Sequence, residues 1–227
     1  MLTVVIPVGP DPVYLRYLEE CVESVSKQER AAFEILIMDD QAHLKGTKLF
    51  DSILKMHPNV HIRKTAWLSG VAHSFNFGVA LAQNELVIML GSDDKLHPWA
   101  VEDCIKSYRK HKDPLGYYWM DVEYSHGETQ SLPCNAAMVT KTMWRALGGF
   151  PPESACGAMD TVIMSIMAIH PEAGHLINVE SENPPYWYRA HDETYSRRIG
   201  SKLAGASAIV RDYYTENWSK PTWPKRV

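Results

Sequence analysis

Short apolar runs that stop abruptly in acidic or glycine-proline turns, with helical spacing between them, constrain this chain more than any other feature. Leu2–Val8 is a β-branched run that stops around Pro7, Gly9, Pro10 and Pro12, the pattern of a buried strand followed by a loop. Leu15, Leu18, Val22 and Val25 then recur at intervals of three or four, which is one face of a helix. Phe33–Met38 is a second apolar run and stops at Asp39-Asp40. A helix around Leu49–Met56 leads to Val60 and Ile62, which alternate as a short third strand. Phe75, Val79 and Ala82 mark another helix, and Leu86–Leu90 forms a fourth strand that stops at Gly91-Ser92-Asp93-Asp94. Strands that are apolar throughout belong in a parallel sheet covered on both faces, so the expected class is α/β. Such sheets bind ligands beyond the carboxyl ends of their strands. The acidic residues collect along that edge.

The second half has a different texture. A helix is expected to start at Pro98, with Val101, Ile105 and Tyr108 on one face. Tyr117–Met120 and Ala136–Val139 read as strands of a mixed sheet, and Gly148-Gly149-Phe150 as a loop. Asp160 stands just before a helical run with Ile163, Ile166 and Met167 inward, and the chain from Pro184 onward is rich in aromatic and basic residues. With no repeat and no linker, 227 residues suit one domain. Its two halves are a ligand-binding half to about residue 94 and a second half from about 95 to 227.

Charge and cysteine usage remove several classes. A net charge of −4 and a pI near 6.2 argue against broad charge-driven binding to nucleic acid or anionic membranes. Arg197, Arg198, Lys202, Lys225 and Arg226 leave room for a local basic patch. Cys21, Cys104, Cys134 and Cys156 show no CxxC pairing and no zinc-like spacing, as expected of buried thiols in a reducing compartment. The N-terminal apolar run is short and lacks a basic flank, and no later run could span a bilayer. The expectation is a cytoplasmic protein without a membrane span.

Few residues can carry chemistry. Asp93-Asp94, at the end of a buried strand, suits a divalent cation whose shell is completed by phosphate oxygens. As a lone pair it would more often cap a helix or close a turn. Asp39-Asp40 ends the neighbouring strand in the same way, and its carboxylates could accept from a nucleobase imide or a ribose hydroxyl. Two acidic pairs on one sheet edge repel each other, which calls for a cation or for donor groups. Asp160 reads as an N-cap or as a general base, and His191 as a surface histidine or a neutral metal ligand. No phosphate-cradling glycine loop is found, since Gly9-Pro10-Asp11-Pro12 has the wrong form.

Taken together, these residues resemble the family 2 glycosyltransferases of the GT-A fold, a nucleotide-binding Rossmann-type mixed sheet flanked by helices. Val4-Val5-Ile6-Pro7-Val8 is similar to that family's opening strand, and Ile35–Asp40 to its second. Gly70–Gly78 is similar to the segment before the metal motif, with Asn76 on the family's asparagine, and Ser92-Asp93-Asp94 stands at the DxD-type motif. Gly148-Gly149-Phe150 with Asp160 resembles the acceptor loop and its base, and Tyr188-Arg189-Ala190-His191 the late motif whose histidine meets the metal. Departures are Val8-Gly9-Pro10-Asp11 after the first strand, Gln41-Ala42 after Asp40, His73 where an arginine is common, and Met159 before Asp160.

The resemblance implies an inverting transfer of a sugar from a nucleotide-sugar, preferably a UDP-sugar, to an acceptor hydroxyl, with Mn2+ or Mg2+ as cofactor. It places Pro7, Val8, Asp39, Asp40, His73, Asn76, Ser92 and Asp93 at the donor, Asp94 and His191 at the metal, and Asp160 as general base. The acceptor stays open: a glycan, a small molecule or a modified nucleic-acid base. An inactive nucleotide-sugar-binding scaffold is the rival reading, although Asp94 and Asp160 are both present. Nucleotidyl transfer on a similar sheet would favour a basic, glycine-rich loop after the first strand.

Overall fold

The computed structural model describes residues 1–29, 33–56, 58–134, 136–151, 159–192, 208–209 and 211–221. In chain order the strands and helices are β1 (Leu2–Val8), α1 (Pro12–Ser26), β2 (Phe33–Asp39), α2 (Lys48–Met56), β3 (Val60–Lys64), α3 (Gly70–Leu81) and β4 (Leu86–Met89). They continue with β5 (Lys95–Leu96), α4 (Ala100–His111), β6 (Gly116–Trp119), β7 (Val122–Tyr124), β8 (Thr129–Gln130) and β9 (Ala137–Thr140). The last are α5 (Lys141–Leu147), α6 (Met159–Ile169), β10 (His175–Asn178) and β11 (Tyr186–Tyr188).

Seven strands form the main sheet in the order β10-β6-β9-β4-β1-β2-β3. β1, β2, β3 and β4 run parallel, as the mainly apolar runs of β1, β2 and β4 predict, while β9 lies antiparallel between β4 and β6. Period-two alternation along β1 divides the core. Leu2, Val4, Ile6 and Val8 pack with Leu18 and Val22 of α1 and Val101 and Ile105 of α4. Val5 faces the other way, with Phe75 and Val79 of α3, Met143 of α5 and Ile163 of α6. Each such side chain contributes roughly 1.5–3 kcal/mol on leaving water. Both faces are therefore covered, and the carboxyl edge alone is left for a ligand.

Helix starts follow local chemistry. The Asp11 carboxylate accepts from the Val13 amide at 3.1 Å and Pro12 opens α1, while the Thr140 hydroxyl accepts from the Met143 amide at 2.8 Å to open α5. α4 corrects the sequence reading. It begins at Ala100, not Pro98, because Pro98 is held in the preceding turn, where its carbonyl accepts from the Glu29 amide at 3.0 Å. Asp160 lies within the first turn of α6 rather than ahead of it.

A second sheet, β5-β11-β7-β8, was not legible beforehand. Its register pairs Tyr186 with Val122, Tyr188 with Tyr124, and Val122 with Gln130. These five side chains therefore share one face. Among the described residues, no helix is long and apolar enough to cross a membrane.

Candidate functional site

A cavity of about 520 Å³ opens at the carboxyl edge of the main sheet, within the range that holds a small ligand. Pro7 and Val8 of β1, Asp40, the Gly91–Asp94 turn, Asp160 and the tyrosine face of the second sheet all line it. The two sheets thus meet at one site.

The acidic turn after β4 is tightly built. The Asp94 amide donates to the Gly91 carbonyl at 3.1 Å, folding the carboxylates back over the turn. A Cβ at Gly91 would stand 2.7 Å from Asp94 Oδ2, so glycine is required there by close approach. Asp94 is buried; its Oδ2 accepts from the Tyr186 hydroxyl at 2.7 Å and its Oδ1 from the Arg189 amide at 2.9 Å. Arg189 also donates from Nε to the Asp93 carbonyl at 2.8 Å. Its guanidinium lies over Tyr17 and Trp187 and pairs with Glu20. Burial first, then the neighbouring Asp93 charge, push the Asp94 carboxyl up to about 8, although the Tyr186 and Arg189 hydrogen bonds pull it down.

This pair has the chemistry of a cation site. Ionising both carboxyls of a buried, adjacent pair is costly unless a cation offsets their charge. His191 Nε2 stands 3.2 Å from Asp93 Oδ2, and among the described residues its buried Nδ1 has no hydrogen-bond partner. Among the described residues, no three His, Cys, Asp or Glu side chains converge closely enough to hold an ion alone. Oxygens from a ligand must complete any shell, which is the habit of Mg2+ and Mn2+ at phosphate sites.

The residues expected at the donor divide. Pro7, Val8, Asp40, Ser92 and Asp93 line the cavity; Asp39, His73 and Asn76 do not. The Asp39 carboxylate closes its own loop, accepting from the His43 and Leu44 amides at 3.1 and 3.0 Å. Asn76 clamps the backbone of Phe150, donating to its carbonyl at 2.8 Å and accepting from its amide at 2.9 Å. Gly149, at φ +77°, makes that clamp possible, since a Cβ there would meet Asn76 Oδ1 at 2.5 Å. The half-buried His73 ring lies beside Phe77, while its neighbours Ser74 and Phe75 reach the cavity instead. Asp40 has a structural task as well. Its Oδ1 accepts from the Thr65 hydroxyl and from the amide and hydroxyl of Ser69, and its Oδ2 from the Gly70 amide, so it caps α3 from another strand.

Asp160 enters the cavity from the first turn of α6, where its Oδ1 accepts from the Thr161 amide at 2.8 Å. This bond runs to the next residue along the helix. Tyr124, Gln130 and Tyr186 are not singled out by the sequence, and Tyr188 only as the start of the late motif, because their strands are two or three residues long. Only the alternation Val122-x-Tyr124 and Tyr186-x-Tyr188 hinted at them. Cys21, Cys104 and Cys134 are free thiols, whereas Cys156, Arg197, Arg198, Lys202, Lys225 and Arg226 lie outside the described residues.

Known proteins agree with this architecture. S. aureus TarS 1–349, in complex with UDP-GlcNAc, superposes with a TM-score of 0.68 over 86% of this chain and 60% of that one, at 15% identity. Mannosyltransferase PcManGT from Pyrobaculum calidifontis, in complex with GDP-Man and Mn2+, superposes at 0.64 over 97% and 65%, at 16% identity. At such identities the likeness shows the fold, which is GT-A. The chain is 25% identical over 152 residues to a chondroitin synthase of Pasteurella multocida (strain Pm70), covering 59% of this chain and 16% of that protein. It is 28% identical over 94 residues to the glycosyltransferase GlyG of Streptococcus pneumoniae serotype 4, covering 41% and 30%. It therefore spans less than a third of the length of either. The sequence profile of glycosyl transferase family 2 matches residues 3–147, from β1 through both acidic strand ends and Asn76 to the close of α5. With well over half of its length in that match, the chain belongs to glycosyl transferase family 2.

Proposed function

We propose that this chain transfers a sugar from a nucleotide-sugar, preferably a UDP-sugar, to an acceptor hydroxyl with inversion at the anomeric carbon. The carrying observation is that Asp93-Asp94, in the turn after β4, and Asp160, in the first turn of α6, line one cavity although they come from different halves of the chain. The half to about residue 94 holds the donor and the half from 95 to 227 the acceptor, in one domain.

The nucleotide lies along the ends of β1 and β2, where Pro7, Val8 and Asp40 line the cavity. Asp93 and Asp94, with His191 beside Asp93, would hold Mn2+ or Mg2+, which would supply charge to offset that of the departing diphosphate. Asp160 accepts the proton of the acceptor hydroxyl as its oxygen bonds to the anomeric carbon. The bond from that carbon to the diphosphate oxygen breaks in the same displacement, and the nucleoside diphosphate leaves with the electron pair. Tyr186 and Arg189 hold Asp94 and the Asp93 carbonyl in place, which keeps the charged turn from rearranging during transfer.

Calorimetry with UDP and GDP tests the donor reading, with Mn2+ or with chelator, in wild type and Asp94→Asn. Expected is nucleotide binding that needs the cation and that Asp94→Asn weakens at least tenfold. Equal affinity of a nucleotide with Mn2+ and with chelator, in both proteins, removes the cation from the site. Mass spectrometry with a panel of nucleotide-sugars then reports which donor is hydrolysed, and hydrolysis of none would overturn the transfer reading.

A further inference from the structure

Beyond the donor, the cavity has a wall that the transfer reading leaves unassigned. Val122, Tyr124, Gln130 and Tyr188 share one face of the second sheet and line the cavity along with Asp160. Tyr124 and Tyr188 are half-buried and meet edge to face, with ring centroids 5.3 Å apart. The Tyr124 hydroxyl donates to Gln130 Oε1, which fixes the amide and turns its NH2 group, with two N–H donors, away from that bond. Fixed aromatic rings, an oriented amide and a carboxylate are the combination that a pyranose requires. Its C–H face packs on a ring, and its hydroxyls both accept and donate.

The charge of the lining narrows the choice. Asp40, Asp93, Asp94 and Asp160 all border the cavity, and among the described residues no Lys, Arg or His does. A cation at Asp93-Asp94 is matched by the donor's diphosphate. An acceptor carrying a carboxylate or phosphate beside Asp160 would then meet like charge in a poorly solvated space.

Resting on the transferase reading, we infer that the wall formed by Tyr124, Gln130 and Tyr188 is an acceptor subsite for a neutral pyranoside, and that it disfavours uronates and sugar phosphates. Saturation-transfer NMR on the whole protein, with UDP and Mn2+ present, tests this using methyl β-D-glucopyranoside, methyl N-acetyl-β-D-glucosaminide, methyl β-D-glucuronide and glucose 6-phosphate. Expected is binding of at least one neutral glycoside, about tenfold tighter than either anion. Tyr188→Leu weakens it about fivefold. Gln130→Lys supplies the missing cation at the edge of the sheet and shifts the preference toward the glucuronide. This outcome cannot arise from loss of structure.

An anion bound as tightly as the neutral glycosides, or a preference unmoved by Gln130→Lys, would overturn the inference. So would binding of none of the four probes while UDP binds, and in that case the donor reading stands. Failure of UDP itself to bind with Mn2+ strikes the donor reading instead, and the inference falls with it.

Discussion

The two acidic ends of the cavity are held by opposite means. Asp94 is buried at the end of a parallel strand, with both carboxylate oxygens fixed by Tyr186 and the Arg189 backbone. Asp160 is half-exposed on the first turn of a helix and accepts from its own neighbour, Thr161. The first arrangement suits a group that must not move, as the proposed stabilisation of a departing diphosphate would require. The second leaves a carboxylate within reach of a ligand in the cavity, which is where a proton acceptor would have to stand. One cavity thus combines a buried carboxyl held by two donors with a half-exposed carboxylate at a helix start.

Asp160→Asn would strain this contrast most. The substitution keeps the shape and the ability to accept from Thr161, but not the proton acceptor. Transfer is expected to fall by ~10²–10⁴ in kcat while nucleotide affinity and melting temperature hardly change. Turnover near the wild-type rate would make Asp160 a local turn former and dissolve the distinction between the two ends.

The rigid end should reveal itself through pH. Folded Asp94 retains its proton up to about 8, against an ordinary value of 3.8. A proton therefore competes with the cation, and apparent Mn2+ affinity should rise by up to about tenfold per pH unit on approaching 8, then level off. The cation-free protein should run the other way. A raised folded value gives stability that is full below about 4 and is lost as pH climbs through 8. Asp94→Asn should flatten both profiles, as read by calorimetry and by denaturant unfolding. A Mn2+ titration independent of pH would show that Asp94 is not a ligand.

The smallest effect lies where the halves are joined. Asn76→Ala removes two hydrogen bonds to Phe150 and should destabilise the fold by about 1–3 kcal/mol. Nucleotide affinity should shift less than about twofold, because Asn76 stands outside the cavity. If affinity collapses while stability holds, Asn76 contacts the donor after all, as its place in the family pattern implies.

What could be read in the chain beforehand follows the same division. β1, β2, β4 and their helices were legible because each is long enough to show a period and is bounded by Pro, Gly or Asp. The acidic turns after β2 and β4 were legible for that reason. The second sheet was not, since strands such as Lys95–Leu96 and Thr129–Gln130 are too short for any period and owe their pairing to contacts far along the chain. Asn76 and Asp39 show the other limit. Each stands on a family motif, yet the bonds it makes here run to backbone, which the sequence alone does not reveal.

β9 has a bearing on how the chain assembles. It is the strand between β4 and β6, and so joins the parallel half of the main sheet to the rest. During synthesis Leu86–Met89 emerges well before Ala137–Thr140, and in that interval β4 presents an open edge made wholly of Leu, Val, Ile and Met. Such an edge invites pairing with another nascent chain. A truncation ending shortly before residue 137 would make that interval permanent and yield aggregates, whereas one extra strand would close the sheet.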